Sequence, residues 1–348
     1  MSQHDPATLR MGFAEARDAP CAGCSASCCT FLPLHDFQIT RYEELDYAFY
    51  LLNFDRIELA LLSGGSWRVH YRAPCSNLDT VTRRCTVHGT DRQPHVCKRY
   101  NPYSCFYKRM FESPETIEYI RMDRERLKLY ASMLVFNGHR DIVSYPEVGF
   151  LKEAFDKPLA FSEATDPEIP ASQALTDWKS AVVTGKPLMP LPVKTFASFA
   201  SPCSGCAAWC CTRVSFPHSA PANVGNLDHI RFCLGFPGVE VGVNEHGGWT
   251  IVVRTRCQHR VVDASGAGSC GIFGKPERPS ACQVYDASLC GYRSQFGHPR
   301  PARYLRLTRE GFEIAAKMYT LDDNGYALNQ PGYAEIRAAI EQEWSAGA

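Results

Sequence analysis

Eight cysteines of this chain recur in the same order as eight others, five at one offset and three at a second, and no other feature restricts its fold as much. Cys21, Cys24, Cys28, Cys29 and Cys75 return as Cys203, Cys206, Cys210, Cys211 and Cys257, each 182 residues later. Three residues are then inserted between Cys257 and Cys270, and Cys85, Cys97 and Cys105 return as Cys270, Cys282 and Cys290 at an offset of 185. Other residues keep the same register. Leu45-Asp46 matches Leu227-Asp228, Trp67 matches Trp249, Arg72 matches Arg254, and Pro94 matches Pro279. Beyond the insertion, Tyr119, Arg121, Arg124 and Glu125 match Tyr304, Arg306, Arg309 and Glu310. A register held this far is not chance, and two copies of one unit are expected.

The copies are expected to occupy residues 13–155 and 195–348. A linker over 156–194 lies between them, carrying Pro158, Pro170, Pro187, Pro190 and Pro192 and, near 174–183, one short helix. Its length permits the two units to pack face to face. Each unit opens on a cysteine-rich loop. An amphipathic helix follows, over 41–62 in the first copy and 224–234 in the second. Leu45/Leu227, Ala48/Ile230 and Leu52/Leu234 recur there at helical spacing. Short strands over 67–71 and 249–253 then deliver the chain to Cys75 and Cys257. A second strand (118–122; 303–307) leads into a helix over 124–135, matched by a short hairpin or helix near 311–319. Residues 333–344 read as a helix present only in the second half. The fold class expected is α+β: two tandem, loop-rich, metal-stabilised cysteine-cluster units related by internal duplication.

Seventeen cysteines in 348 residues call for disulfides or metal. The opening residues hold no apolar run suited to a signal peptide, and no stretch of the chain is apolar for a membrane-spanning length. A cytoplasmic, reducing setting is therefore expected, where disulfides are rare and metal is the better account. Lys+Arg and Asp+Glu both number 37; that balance argues against a nucleic-acid footprint, which needs a basic face. The expected partner is an unidentified protein or redox partner, with neither nucleic acid nor membrane.

The Cys-x-x-Cys turns, Cys21/Cys24 and Cys203/Cys206, place two sulfurs within reach of one ion or of two irons of one cluster. The adjacent pairs Cys28-Cys29 and Cys210-Cys211 point their thiols in different directions. One thiol then serves each of two sites, or one ligates and the other packs. Eight thiols per unit suit two four-cysteine sites, or one four-iron cluster with four spare thiols. Within the aligned cores no histidine is kept in both copies: His35 aligns with Pro217, His70 with Val252 and His88 with Phe273. Thiolate-only ligation favours zinc or iron–sulfur.

The run Cys-x-x-Cys-x-x-x-Cys-Cys, then a lone Cys, then Cys-x-[Val/Ile]-[His/Phe]-Gly-x-x-x-x-Pro-x-x-Cys-x-x-Tyr resembles that of the YkgJ-type cysteine-cluster proteins. The resemblance covers residues 20–105 and 202–290. It implies a zinc- or iron-chelating protein, often iron–sulfur-containing. That family usually has Arg-Pro before the seventh cysteine, kept as Arg278-Pro279 but not at Gln93-Pro94. It usually has Arg directly after that cysteine, where this chain has Lys98 and Gln283. The departures imply two centres of different potential or role. Flagellin lysine methylases share the cysteine pattern, though no glycine-rich cofactor loop accompanies it here.

Among the remaining residues, Arg72 and Arg254 either offset the charge of a thiolate-bound centre or are exposed strand residues. Tyr100 and Tyr285 are hydrogen-bond donors to sulfur or core aromatics. Trp67 and Trp249 are expected to pack over the cluster loops, Asp46 and Asp228 to be solvated or capping, and Cys233, aligned with Leu51, to be a small buried apolar residue. The function expected is an iron–sulfur protein, holding a 4Fe–4S cluster for electron transfer or sensing. The alternatives are a structural zinc scaffold and, less favoured, a metal-dependent protein-modifying enzyme similar to the flagellin methylases. No nucleophile–base pair or phosphate loop stands out, and catalysis stays open.

Overall fold

The computed structural model describes residues 27–62, 64–82, 84–98, 119–148, 150–151, 208–264, 268–283 and 304–346. Cys21, Cys24, Cys105, Cys203, Cys206, Cys290, Tyr100, Tyr285 and the linker over 156–194 lie outside the described residues. The chain divides into two compact units. Unit 1 is Met1–Leu52, Arg56–Pro158 and Gly235–Pro237; unit 2 is Asn53–Asp55, Leu159–Leu234 and Gly238–Ala348.

Unit 1 begins with a 3-10 turn, Ser27–Cys29, followed by β1 (Phe31–Phe37), α1 (Tyr42–Leu51), β2 (Ile57–Leu62) and β3 (Trp67–Arg72). A small hairpin, β4 (Leu78–Asp79) and β5 (Arg84–Cys85), and a single helical turn, α2 (His95–Lys98), come next. β6 (Tyr119–Met122), α3 (Arg124–Ser132) and the hairpin β7 (Val135–Phe136) and β8 (Ile142–Ser144) complete it. The main sheet is antiparallel with strand order β1-β3-β2-β6.

Unit 2 runs through a 3-10 turn, Trp209–Thr212, then β9 (Arg213–His218), α4 (Val224–Cys233), β10 (Val239–Asn244) and β11 (Trp249–Arg254). The hairpin β12 (Arg260–Val262) and β13 (Gly268–Cys270) and the turn α5 (Ser280–Gln283) follow. β14 (Tyr304–Leu307), α6 (Arg309–Lys317) and α7 (Tyr333–Ala346) end it. Its sheet, β14-β10-β11-β9, has the order of the first sheet read from the other edge. α1 and α4, β2 and β10, and β3 and β11 stand 182 residues apart at both ends, and β6/β14 and α3/α6 stand 185 apart. Mixed helices and antiparallel sheets make each unit α+β.

Local chemistry explains the elements. α1 buries Leu45, Ala48 and Leu51, and α4 buries Leu227, Ile230 and Cys233, one stripe of a helix in each case. Glu44 accepts the Thr40 and Arg41 N–H groups at 2.6 and 3.1 Å, Asn223 accepts that of Asn226 at 2.9 Å, and Asp123 caps α3 through Arg126 N at 2.8 Å, which satisfies N-terminal donors. The β2–β3 and β10–β11 hairpins turn through Gly65 and Gly247, both at φ 79°, a left-handed backbone that glycine adopts without steric cost.

The helix expected over 41–62 is a helix and a strand. α1 stops at Leu51, Arg56 takes a left-handed φ of 66°, and β2 begins at Ile57. The run Ile57-Glu-Leu-Ala-Leu61 is buried on both faces; it reads equally at helical and strand periods, and pairing with β3 and β6 decides for strand. β1 and β9 carry no clear strand signal because each contains a proline, Pro33 and Pro217. Both are edge strands, the place where a missing N–H is tolerated, and β1 shifts register between Pro33 and His35. Trp67 packs edge-on to Tyr130 of α3 at 5.1 Å and Trp249 to Phe312 of α6 at 6.5 Å. Both indoles therefore sit between sheet and helix, not over the cysteine loops as expected. Among the described residues, no helix is long and apolar enough to cross a membrane.

Candidate metal centre

The cysteines are gathered by backbone hydrogen bonds that extend the main sheet beyond its last paired residues. In unit 1 the Ala73 N–H donates to Thr30 O at 3.0 Å and the Cys75 N–H to Cys29 O at 2.7 Å. Cys75 O in turn accepts the Leu78 N–H at 2.9 Å, and Leu78 lies directly opposite Cys85 across β4 and β5. Unit 2 repeats each step. The Thr255 N–H reaches Thr212 O at 3.0 Å, the Cys257 N–H reaches Cys211 O at 2.7 Å, and the Arg260 N–H reaches Cys257 O at 3.0 Å. Arg260 then faces Cys270 across β12 and β13. Such bonds hold three cysteines of each unit in one continuous array. The fourth, Cys97 or Cys282, sits on α2 or α5 with its N–H on the carbonyl of Pro94 or Pro279, at 2.9 Å in both.

The adjacent cysteines come from the 3-10 turns. Cys28 and Cys29 have their sulfurs 4.0 Å apart. Ala208, buried and left-handed at φ 54°, sets the turn that presents Cys210 and Cys211. A non-glycine residue in that region stores backbone strain, of a kind concentrated at functional sites.

Electrostatics show the thiols of unit 2 acting on one another. A hydrogen bond from Cys210 lowers the Cys211 thiol to about 7 against the opposing effect of burial, with Arg260 and Arg278 assisting. Burial pushes Cys257 up to about 11, reinforced by Cys211 and Cys270. Burial pushes Cys282 up to about 12, reinforced by Cys211, Cys257 and Cys270 and opposed by Arg278. Four thiols thus share a half-buried region in which ionising one hinders the next. Cys29, Cys85, Cys211, Cys257, Cys270 and Cys282 carry free thiols. Half-buried sulfur donors that resist ionisation together suit a thiophilic cation, whose charge replaces the protons. Among the described residues, no group of three or more His, Cys, Asp or Glu is arranged to hold a metal ion. The donor chemistry fits; a closed ligand shell would draw on the Cys-x-x-Cys turns, outside the described residues.

His70 is buried within the main sheet and meets Phe31 edge-on at 6.3 Å. His88 is exposed, with Nδ1 3.4 Å from Gln93 Nε2. Cys233 is 1% exposed in α4, like Leu51 at 0% in α1. Asp46 and Asp228 are half-buried on α1 and α4.

Arg72 and Arg254 are not exposed strand residues. Arg254 faces the buried Glu240 carboxylate, and the Arg72 charge acts on the buried Glu58. The Glu240 carboxylate takes two bonds from Arg306, at 2.6 and 2.5 Å, and Arg254 Nε lies 3.2 Å away. Glu58 is paired with Arg121 through Nε and, at 2.7 Å, through Nη2. Burial raises Glu58 above the ordinary carboxylate range despite Arg121 and Arg72. At Glu240 burial works the same way, but Arg306, Arg254 and Arg213 outweigh it and hold the carboxyl low. The two glutamates stand 182 residues apart, as the two cysteine sets do. Extending the register search from cysteine to charged residues inside apolar runs would have found them.

A comparison with known protein families, curated proteins and solved structures finds no match for this chain.

Proposed function

We propose that this chain is a tandem duplication of one cysteine module and that each copy holds an iron–sulfur cluster on thiolates, for electron transfer or sensing, in the manner of the YkgJ-type proteins it resembles. One observation carries the reading. The hydrogen-bonded path from Cys29 through Cys75 to the partner of Cys85 is repeated, bond for bond, from Cys211 through Cys257 to the partner of Cys270. Packing alone gives no reason for two sheets to place the same thiols at the same ends. A cluster would supply reversible one-electron chemistry. The chain's own part is to hold the sulfurs half-buried, fix their spacing through the backbone and set the charge around them. A cytoplasmic setting, which keeps thiols reduced, belongs to the same proposal.

Protein prepared without oxygen is expected to contain iron with comparable acid-labile sulfide and a broad absorption near ~400 nm. Cys75→Ser and Cys257→Ser are each expected to leave about half of the metal. Zinc without sulfide would make the units closed structural sites and the protein a binding scaffold. Neither metal at stoichiometric level would refute the proposal.

A further inference from the structure

Resting on the reading that both units hold thiolate centres, we propose that the two centres are electrostatically unequal, and that Arg260 and Arg278 make the unit 2 centre the better holder of negative charge. Arg260 lies directly opposite Cys270 in the β12–β13 pair, so the two side chains share one face of the ribbon. Its N–H also fixes the carbonyl of Cys257 at 3.0 Å. Arg278 is held from two sides. Its guanidinium lies over the Phe273 ring at 4.5 Å and donates through Nη2 to the carbonyl of Cys282. Both arginines are half-buried, where a charge is screened less than at the surface.

Unit 1 has the same backbone with neutral residues at these two places. Leu78 occupies the Arg260 position, opposite Cys85 and 8% exposed. Gln93 occupies the Arg278 position, accepting the Gly89 N–H at 2.8 Å and meeting His88 at 3.4 Å. Among the described residues, the charges nearest the matching cysteines are exposed. Arg84 is exposed, faces Asp79 across the hairpin, and so points to the other face from Cys85. Lys98 is exposed, and so is Asp55, the carboxylate acting on Cys257; solvent screens both. Two half-buried guanidiniums in unit 2 stand against none at the matching positions of unit 1. Reduction of a thiolate-held cluster adds one electron and one negative charge, so the unit 2 cluster accepts that electron at the higher potential.

The full chain, reduced and metal-free at low ionic strength, is treated in parallel with 5,5'-dithiobis(2-nitrobenzoate), a dianion, and with neutral 4,4'-dithiodipyridine, and modified peptides are quantified by mass. The ratio of the two rates at one cysteine cancels much of that thiol's own reactivity and reads the local potential. The ratio is expected to be about two- to fivefold higher for Cys211, Cys257, Cys270 and Cys282 than for Cys29, Cys75, Cys85 and Cys97, and to converge in high salt. Arg260→Leu with Arg278→Gln removes the difference. The reciprocal Leu78→Arg with Gln93→Arg raises the ratio in unit 1. Equal ratios in the parent, or ratios that neither pair of substitutions moves, overturn the proposal. After anaerobic reconstitution with iron and sulfide, a potentiometric titration is expected to reduce unit 2 first. Unequal ratios in a protein that takes up no metal would sink the metal reading and leave the asymmetry standing; metal uptake with equal ratios would do the reverse.

Discussion

Replacing Glu240 with glutamine is expected to destabilise unit 2 far more than its size suggests. The carboxylate is 3% exposed and its partner Arg306 1%. Arg254, 11% exposed at its side chain, lies 3.2 Å away, and Arg213 is buried as well. Among the described residues, Arg306 and Arg254 both face this carboxylate and the Arg213 charge adds to theirs. Removing one member of a buried ion pair costs about 3–5 kcal/mol, most of it from the partner left charged and uncompensated. Glu240→Gln keeps the shape and one acceptor, so this charge term dominates its effect. The matching Glu58→Gln removes a carboxylate 9% exposed, paired with an arginine that is 23% exposed. Solvent screens that site, and the loss expected there is roughly 1–3 kcal/mol. Native-state hydrogen exchange on the β10–β14 and β2–β6 amides reads each unit separately. Equal losses in the two variants, or a Glu240→Gln loss under about 1 kcal/mol, would refute the argument that the buried Arg306 guanidinium depends on this carboxylate.

Three further outcomes are expected. Burial, with the Arg68 and Arg121 charges, pulls His70 down to about 3 from 6.5; the unfolded state then binds the extra proton below pH 6.5, and stability falls as pH drops from there toward 3. His70→Val, which copies the buried Val252, is expected to spare about 3 kcal/mol at pH 4 relative to pH 7 in denaturant titrations, and an unchanged acid limb would refute it. Gly247→Ala meets no atom within 4 Å but keeps φ at 79°, so it should cost about 1–2 kcal/mol through backbone strain alone; a neutral effect on thermal unfolding would show that the turn adapts. The Cys233 thiol, pushed up to about 12 by burial, should resist alkylation in the native protein, and Cys233→Ala should leave metal content unchanged; a loss of metal would make it a ligand.

The amino-acid sequence by itself determined the matched spacing of the cysteines, the buried Leu45 and Ala48 of α1 and Leu227 and Ile230 of α4, and the strands that lead to Cys75 and Cys257. Those features are local or periodic, so one pass along the chain reveals them. Only tertiary structure decided the rest. The run Ile57–Leu61 reads equally at helical and strand periods, and its place in β2 follows from the neighbours it pairs with. β1 and β9 are strands because an edge tolerates Pro33 and Pro217. Glu58 and Glu240 lie 63 and 66 residues from the arginines they bind. Buried charge is set by what surrounds a side chain in space, and no window of sequence contains that neighbourhood.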